Sequence, residues 1–542
     1  MFQKRIIFLM FLVLSLTACR GGSNDTSPDD LVAVNDYYAL PRDTSGELTV
    51  MMWAGSGVFI RDVGRIDIAS EDITGSNDAK VISVAREFNK IYPNIIINVN
   101  TTDADNWALQ RENFRLENGS YPDLFGVQGL IGDIERGVVA DISIFADDPR
   151  YQILNPSIME LMNIGERQFG VPSYIIPSGV FVNRQLAERE NIDIPSPNWT
   201  IEQMIAFMSN SRANDFYGGM GAPWFIMETG TRDIFWQLAE RGINDPFVRL
   251  NSQPIRELLN LMQPVNDHMI WSQNARNNIS NEFMEDGWWW GPRFFVRNQL
   301  LTLDEEPWMV GDMAHPEPET HWFEMIVDDW DIYPKPSTNY VSNHVNIVFN
   351  PLGIRNYAMD DSDPNLSTEE YERLAIAWEF AAFKTVDTKS WKAQHDLLWN
   401  SGGGLVSAAN TSFPFVTGQA FYDQMEYSMF GANAILSDPV RMPGFQQVIE
   451  LFLNGQFPSF SHEVYPWHYE FEGSSREIMY EWINKWDASV TGASDLEPHW
   501  LDELYARLPE WDIEINKRFE NAMNALYLVI DRNYPEQVLG GR

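Results

Sequence analysis

Apolar positions along the chain change their period several times, and each change marks an element. Leu48-Thr49-Val50-Met51-Met52-Trp53 is a short continuous apolar run, which suits a strand buried on both faces, and Ala54-Gly55-Ser56-Gly57 behind it is a turn. With Asn77 or Asp78 as N-cap, Val81, Val84, Ala85 and Phe88 recur at helical spacing as far as Tyr92, where Pro93-Asn94 stops the helix. Ile95 to Asn100 is a β-branched strand, Trp107 to Glu117 a helix ended by Asn118-Gly119, Tyr121 to Val127 a short strand, and Gly132 to Val139 a short helix. This alternation predicts an α/β fold with a mainly parallel sheet covered on both faces.

Further on, Ile175 to Asn183 follows Gln168-Phe169-Gly170-Val171-Pro172, and Thr200 with Gln203 forms a capping box that opens a helix over Ile201 to Ser209. Thr231 to Arg241 is a second helical stretch, after the irregular Gly218 to Trp224. Asp331 to Pro336 and His344 to Asn350 are strands bounded by breakers. Glu370 to Thr385 is a helix with Leu374, Trp378, Phe380 and Ala381 facing inward. The tail from about 390 to 535 is mostly helical and ends in a long amphipathic stretch, Trp511 to Ile530. No internal repeat is visible.

The first residues follow a different logic. Lys4 and Arg5 precede Ile6 to Leu16, eleven residues with one polar member, Ser15. That run is too short for a membrane span, which needs about 20 apolar residues, but fits the apolar core of a signal peptide. Leu16-Thr17-Ala18-Cys19 resembles the lipobox of bacterial lipoproteins, which implies cleavage after Ala18 and lipidation of Cys19. The alternative is an ordinary secretory signal with a chance cysteine. Cys19 is the one cysteine in 542 residues, so no internal disulfide can form. Residues 19–45 are expected to be a flexible tether, because Gly21 to Asp30 contains no apolar residue. The membrane is therefore met through the lipid anchor only, at the extracytoplasmic face.

Removal of residues 1–18 leaves 524 of the 542 residues, enough for two lobes. The formal net charge of −39 disfavours nucleic acid and anionic membranes as partners. It also disfavours acidic glycans, unless a local basic pocket reverses the sign. The aromatic content, 13% with 20 tryptophans, admits two uses: extra core, or exposed faces on which the C–H side of a pyranose packs.

Taken in order, several short strings are similar to the extracellular solute-binding proteins of carbohydrate ABC importers, the group that includes maltose-binding protein. They are Leu48 to Ser56; Glu87-Phe88 with Pro93, Ile95 and Ile97; Pro122-Asp123-Leu124-Phe125; Phe169-Gly170-Val171-Pro172 through Val182-Asn183-Arg184; Pro195 with Trp199-Thr200; Trp330 to Pro336; and Ala377 to Phe383. Met51-Met52 and the Pro-rich Met313 to Pro318 depart from the family pattern. The resemblance implies a two-lobed periplasmic-binding-protein-like fold of type II, each lobe a sheet flanked by helices, with a hinge of crossing segments. Val171 to Asn183 and about Trp330 to Pro351 are the candidate crossings. The implied lobes are 46–175 plus about 325–362, and 176–324 plus about 363–542. The implied partners are a carbohydrate ligand, of oligosaccharide size if the aromatics make several subsites, and the transmembrane subunits of an ABC permease. The chain is expected to act as a monomer, without a cofactor.

Candidate ligand contacts are placed by where strands end and where aromatics lack a core pattern. Trp53 and Ser56 close the first strand, and Gln128 follows Leu124 to Val127 toward the cleft. Asp123 is a candidate, with a structural strand or turn acid as the alternative. Trp224 lies in a Gly/Pro loop, and Trp288, Trp289 and Trp290 cannot all face one way, which makes that triplet the best aromatic platform. Asp361, Asp363, Asn365, Ser367, Glu369 and Glu372 have the spacing of a calcium loop, but Leu366 stands where the sharp turn needs glycine. A capping box of Ser367 and Glu370 explains the same string more simply.

Enzyme signatures are absent: no His-Glu-x-x-His, no Walker loop, no G-x-S-x-G and no Cys–His set. Paired carboxylates for glycoside cleavage remain open, since 77 acids make chance pairs certain. The expectation is a non-enzymatic lipid-anchored receptor. A surface polysaccharide-active enzyme, glycosidase or lyase, and a sugar-sensing module without transport are the alternatives.

Overall fold

The computed structural model describes residues 37–53, 59–65, 76–102, 107–127, 130–164, 167–212, 215–219, 291–305, 328–339, 342–360, 366–400, 412–432, 435–457 and 500–534, with isolated positions between 251 and 268. The elements in chain order begin with β1 (Ser45–Trp53), β2 (Phe59–Ile60), α1 (Ser76–Ile91), β3 (Asn94–Thr102), α2 (Trp107–Asn118), β4 (Leu124–Gly126) and α3 (Leu130–Glu135). They continue through β5 (Val171–Asn183), α4 (Ile201–Met208), β6 (Thr302–Glu305), β7 (Trp330–Tyr333) and β8 (Asn346–Ile354). The last are α5 (Thr368–Val386), α6 (Thr388–Asn400), α7 (Pro443–Leu453) and α8 (Trp500–Asn533).

Local signals set several of these bounds. Gly119 takes a left-handed conformation, φ 78°, directly after α2, as a helix stop requires. Thr200 and Gln203 make both bonds of the predicted capping box at the start of α4. Ser367 and Glu370 do the same for α5, where Ser367 Oγ accepts from the Glu370 amide at 3.3 Å. α8 starts 11 residues before the predicted Trp511, because Pro509 is carried inside the helix instead of ending it.

The sheet is not mainly parallel, and here the sequence expectation fails. Its order is β2-β3-β1-β4-β8-β5-β6, with β7 also on β5. Among the described strands only β1–β3 and β1–β4 pair in parallel; β8 enters antiparallel between β4 and β5, and β6 and β7 flank β5 antiparallel. A local hydrophobic pattern carries no information on the direction of a partner strand more than 200 residues away. β8 also runs past its predicted end at Asn350, because the register shifts between Asn350 and Pro351 and a bulge accommodates the proline that lacks an N–H.

Among the described residues, two apolar clusters form the core. One joins β1, α1 and β3 to the inner face of α5 through Leu48, Val50, Phe88, Ile97, Trp378 and Phe380. The other runs from Phe125 and Val139 through Ile175 and Ile176 to Phe181, Trp330 and Phe445. The first cluster sets α5 against β1, α1 and β3, and α6 packs on α1. Amphipathicity shows that α5 buries one face, but not which surface covers it. The expected tether also ends early, since Tyr38 and Leu40 pack against this core and Lys389 Nζ donates to the Tyr38 hydroxyl at 2.9 Å.

Candidate functional site

β5 is the element on which a two-lobed reading rests. Its first half, Val171 to Ser178, pairs with β8 in the sheet that contains β1; its second half, Gly179 to Asn183, pairs with β6 on one side and β7 on the other. The change of partners falls at Gly179, where an added Cβ would stand 2.3 Å from the Tyr333 carbonyl oxygen. Glycine is required there by the close approach of another backbone, not by its φ. From β7 the chain returns through Lys335 and His344, bridged to each other, into β8. The two segments are thus antiparallel passes between the β1 half of the sheet and the half that β6 and β7 form on β5.

The far side of the crossing is fastened by buried charge. Asp331 on β7 accepts from the Gly444 and Phe445 amides at 2.9 and 3.2 Å, which caps α7 from a neighbouring strand because Met442 at its N-cap offers no acceptor. Burial pushes the Asp331 carboxyl up to about 6, although those amides, that of Ile332 and the Arg184 guanidinium pull it down. Lys335 pairs with Asp304 of β6. Trp199 Nε1 donates to the Pro334 carbonyl at 2.8 Å and fixes α4 beside the same return.

In a doubly covered sheet, ligands bind beyond the carboxyl ends of the parallel strands. Here those ends are Trp53, Thr102 and Val127, and residues 173–178 of β5 and 346–350 of β8 continue past them toward the second sheet. Trp53 is the last residue of β1. Asp123 does not share that position. It precedes β4, level with Thr49 in the middle of β1, and its carboxylate accepts from the Thr49 amide at 2.7 Å and the Tyr357 hydroxyl at 2.8 Å, with Arg373 at 3.7 Å. Burial raises its pKa against those partners. Asp123 ties β1, β4 and the turn after β8 together from the amino end of β4.

The remaining sequence candidates Cys19, Ser56, Gln128, Trp224, Trp288, Trp289, Trp290, Asp361, Asp363 and Asn365, and the stretch Thr231 to Arg241, lie outside the described residues. Of the calcium-like string, Ser367 caps α5, Glu369 and Glu372 are exposed on its first turns, and no cluster of metal-ligating side chains occurs among the described residues. The large buried indoles Trp199, Trp330, Trp378 and Trp391 are all core, at most 3% exposed. Sequence reasoning missed two lysines on the crevice side: Lys80 near the start of α1, and Lys384 in the last turn of α5, whose Nζ donates to Ser173 Oγ on β5 at 2.9 Å. No local signal marks them, since 304 positions separate them in sequence.

No protein-family model matches the chain, and no curated protein sequence matches it. Solved structures do. The sugar-binding protein MalE from Xanthomonas citri superimposes with a TM-score of 0.52 at 12% identity, over 90% of this chain and 100% of that one. An ABC substrate-binding protein from Listeria monocytogenes in complex with cycloalternan gives 0.51 at 14% identity, over 90% and 99%. A sugar transporter structure from Rhizobium etli in an open conformation gives 0.51 at 14% identity, over 89% and 100%. The chain has the α/β fold of the type II solute-binding proteins of ABC transporters.

Proposed function

We propose that this chain is a lipid-anchored extracytoplasmic receptor that binds a carbohydrate in the cleft between two lobes and delivers it to an ABC-type importer. The observation that carries the reading is the double crossing of β5 and β8, which continues past the carboxyl ends of β1 and β4, in a fold shared along its length with sugar-binding transport proteins. Closure about such a crossing is a known way to turn ligand binding into a signal, provided that the closed state binds the ligand more tightly than the open one. Residues 1–18 act as the leader and Cys19 as the lipidated residue. The first lobe comprises about 37–175 with 346–400, and the second begins at the Gly179 switch of β5 and includes α4, β6, β7 and α7. Among the described residues no helix is long and apolar enough to cross a membrane; in this reading the lipid on Cys19 is the attachment.

The reading is tested with the purified mature protein on a panel of oligosaccharides. Saturable binding with the sugar recovered unchanged is the expected result, and release of a shortened or unsaturated product would overturn it in favour of a glycosidase or lyase. In cells, Cys19→Ser is expected to move the protein from the membrane fraction to the medium or periplasm.

A further inference from the structure

Among the described residues, two buried cations on the crevice side have no carboxylate partner. Lys80 is 8% exposed and Lys384 6%. Lys384 Nζ donates to the Ser173 hydroxyl at 2.9 Å and to the Ser173 carbonyl at 3.3 Å; Lys80 Nζ stands 5.8 Å from the centre of the Tyr174 ring. Burial lowers both amines, Lys80 to about 8 and Lys384 to about 7, and in Lys384 the charge of Lys80 adds to the effect. Among the described residues no carboxylate pairs with either amine. Two other deeply buried cations are treated differently: Arg150 is held between Asp148 and Glu379, and Arg111 is paired with Asp133.

Placement and chemistry agree. Ser173 and Tyr174 sit on β5 where it leaves the level of β4 and starts the crossing, and both are half-buried. Lys80 lies within about a turn of the N-terminal end of α1, a helix of 16 residues whose first amides carry partial positive charge. A cation there opposes the helix dipole, a second local penalty that an acid on any of the neighbouring elements would remove. Two desolvated ammonium groups, a hydroxyl and an aromatic ring make a set that fits an oxyanion attached to a sugar ring.

We infer that Lys80 and Lys384, with Ser173 and Tyr174, form a subsite for an oxyanion group on the ligand, a carboxylate or sulfate, so that the receptor prefers acidic over neutral carbohydrate. The inference rests on the receptor reading above and reverses the expectation drawn from net charge: the charge of the surface steers at long range, while a buried pair sets the contact.

The test compares the mature wild-type protein with Lys80→Met, Lys384→Met and the double variant. Calorimetric titration uses a trisaccharide of galacturonate, a sulfated galactose trisaccharide and the neutral galactose trisaccharide. Thermal melting is recorded in sodium sulfate and in sodium chloride of equal ionic strength. Expected are tighter binding of one anionic sugar than of the neutral one, a loss of about tenfold or more in each single variant, and a sulfate-induced rise in melting temperature that is larger in the wild type than in the double variant. The difference between variants removes the general salting effect of sulfate. Whichever anionic sugar binds names the group. Equal binding of neutral and anionic sugars, unchanged by the substitutions, would overturn the subsite and leave the receptor standing. A lysine-dependent sulfate effect with no sugar bound would keep the subsite and overturn the sugar receptor. No sugar binding and no lysine-dependent sulfate effect would overturn both. Should the double variant fail to fold, the two single variants carry the same comparison.

Discussion

α5 contributes to two buried charged clusters five residues apart, and they are built on opposite rules. At Glu379, one carboxylate oxygen accepts from Arg150 at 2.8 Å and the other from the Tyr92 hydroxyl at 2.7 Å, while Asp148 accepts from Arg150 and from Trp378 Nε1 at 2.8 Å. Every charge there faces its opposite, and the cluster pins α5 to α1 and to the segment before β5. At Lys384 the neighbours are a hydroxyl, a carbonyl and a second lysine. A compensated buried network fixes a scaffold; an uncompensated one has a vacancy in its charge balance that only something from outside the described residues can fill. The difference separates structure from function within a single helix.

The comparison can be broken in four ways. The largest effect is expected from Glu379→Ala, which strands Arg150 and frees the Tyr92 hydroxyl; denaturant titration should show a loss of about 3–5 kcal/mol, and a loss below about 1 kcal/mol would mean that the Arg150 cluster does not hold the helix. Replacement of Lys80 and Lys384 together by Met should act in the other direction, leaving stability unchanged or raising it by about 1–4 kcal/mol, because two desolvated like charges are exchanged for apolar volume; a clear destabilisation would show that the amines serve the scaffold.

The third prediction is a pH dependence. Both amines titrate lower in the folded protein than the ordinary 10.5, at about 8 and about 7. Between these values and the unfolded pKa the unfolded chain holds more protons. Stability should therefore rise from about pH 7 toward pH 10, at up to about 1.4 kcal/mol per pH unit for each group, and fall away as pH drops through the folded values. The double Met variant should lack this rise, and an identical slope in both proteins would refute the assignment. The smallest effect is expected at the other end of the helix, where Ser367→Ala removes an exposed cap and should cost about 1 kcal/mol at every pH; a pH-dependent loss would mean that the ends of α5 are coupled.

Most of the local structure was legible before any coordinates. The capping boxes of Thr200 and Ser367, the stop at Gly119 and the apolar run of β1 each depend on residues within one or two turns of one another, and the chain carries that information directly. The inward residues of α5 were legible for the same reason. Three things were not. The antiparallel insertion of β8 pairs Leu352 with Gly126 and Val171, which no local period encodes. Asp123 was open to two readings, ligand contact or structural acid, and only the fold shows its carboxylate accepting from the Thr49 amide and the Tyr357 hydroxyl. The abundant tryptophans suggested sugar platforms, yet the largest buried ones pack in the core, Trp378 against Phe145 with ring centres 5.0 Å apart.

By itself, then, the sequence determined most of the elements and their caps, because these follow from periodicity and from side chains that bond to their own backbone. Only the tertiary structure decided what covers α5, which groups the Asp123 carboxylate accepts from, and that Lys80 and Lys384 approach neighbouring residues of β5. Contacts between residues about 300 positions apart are set by the packing of whole elements, and a buried charge acquires its meaning from what does or does not stand opposite it.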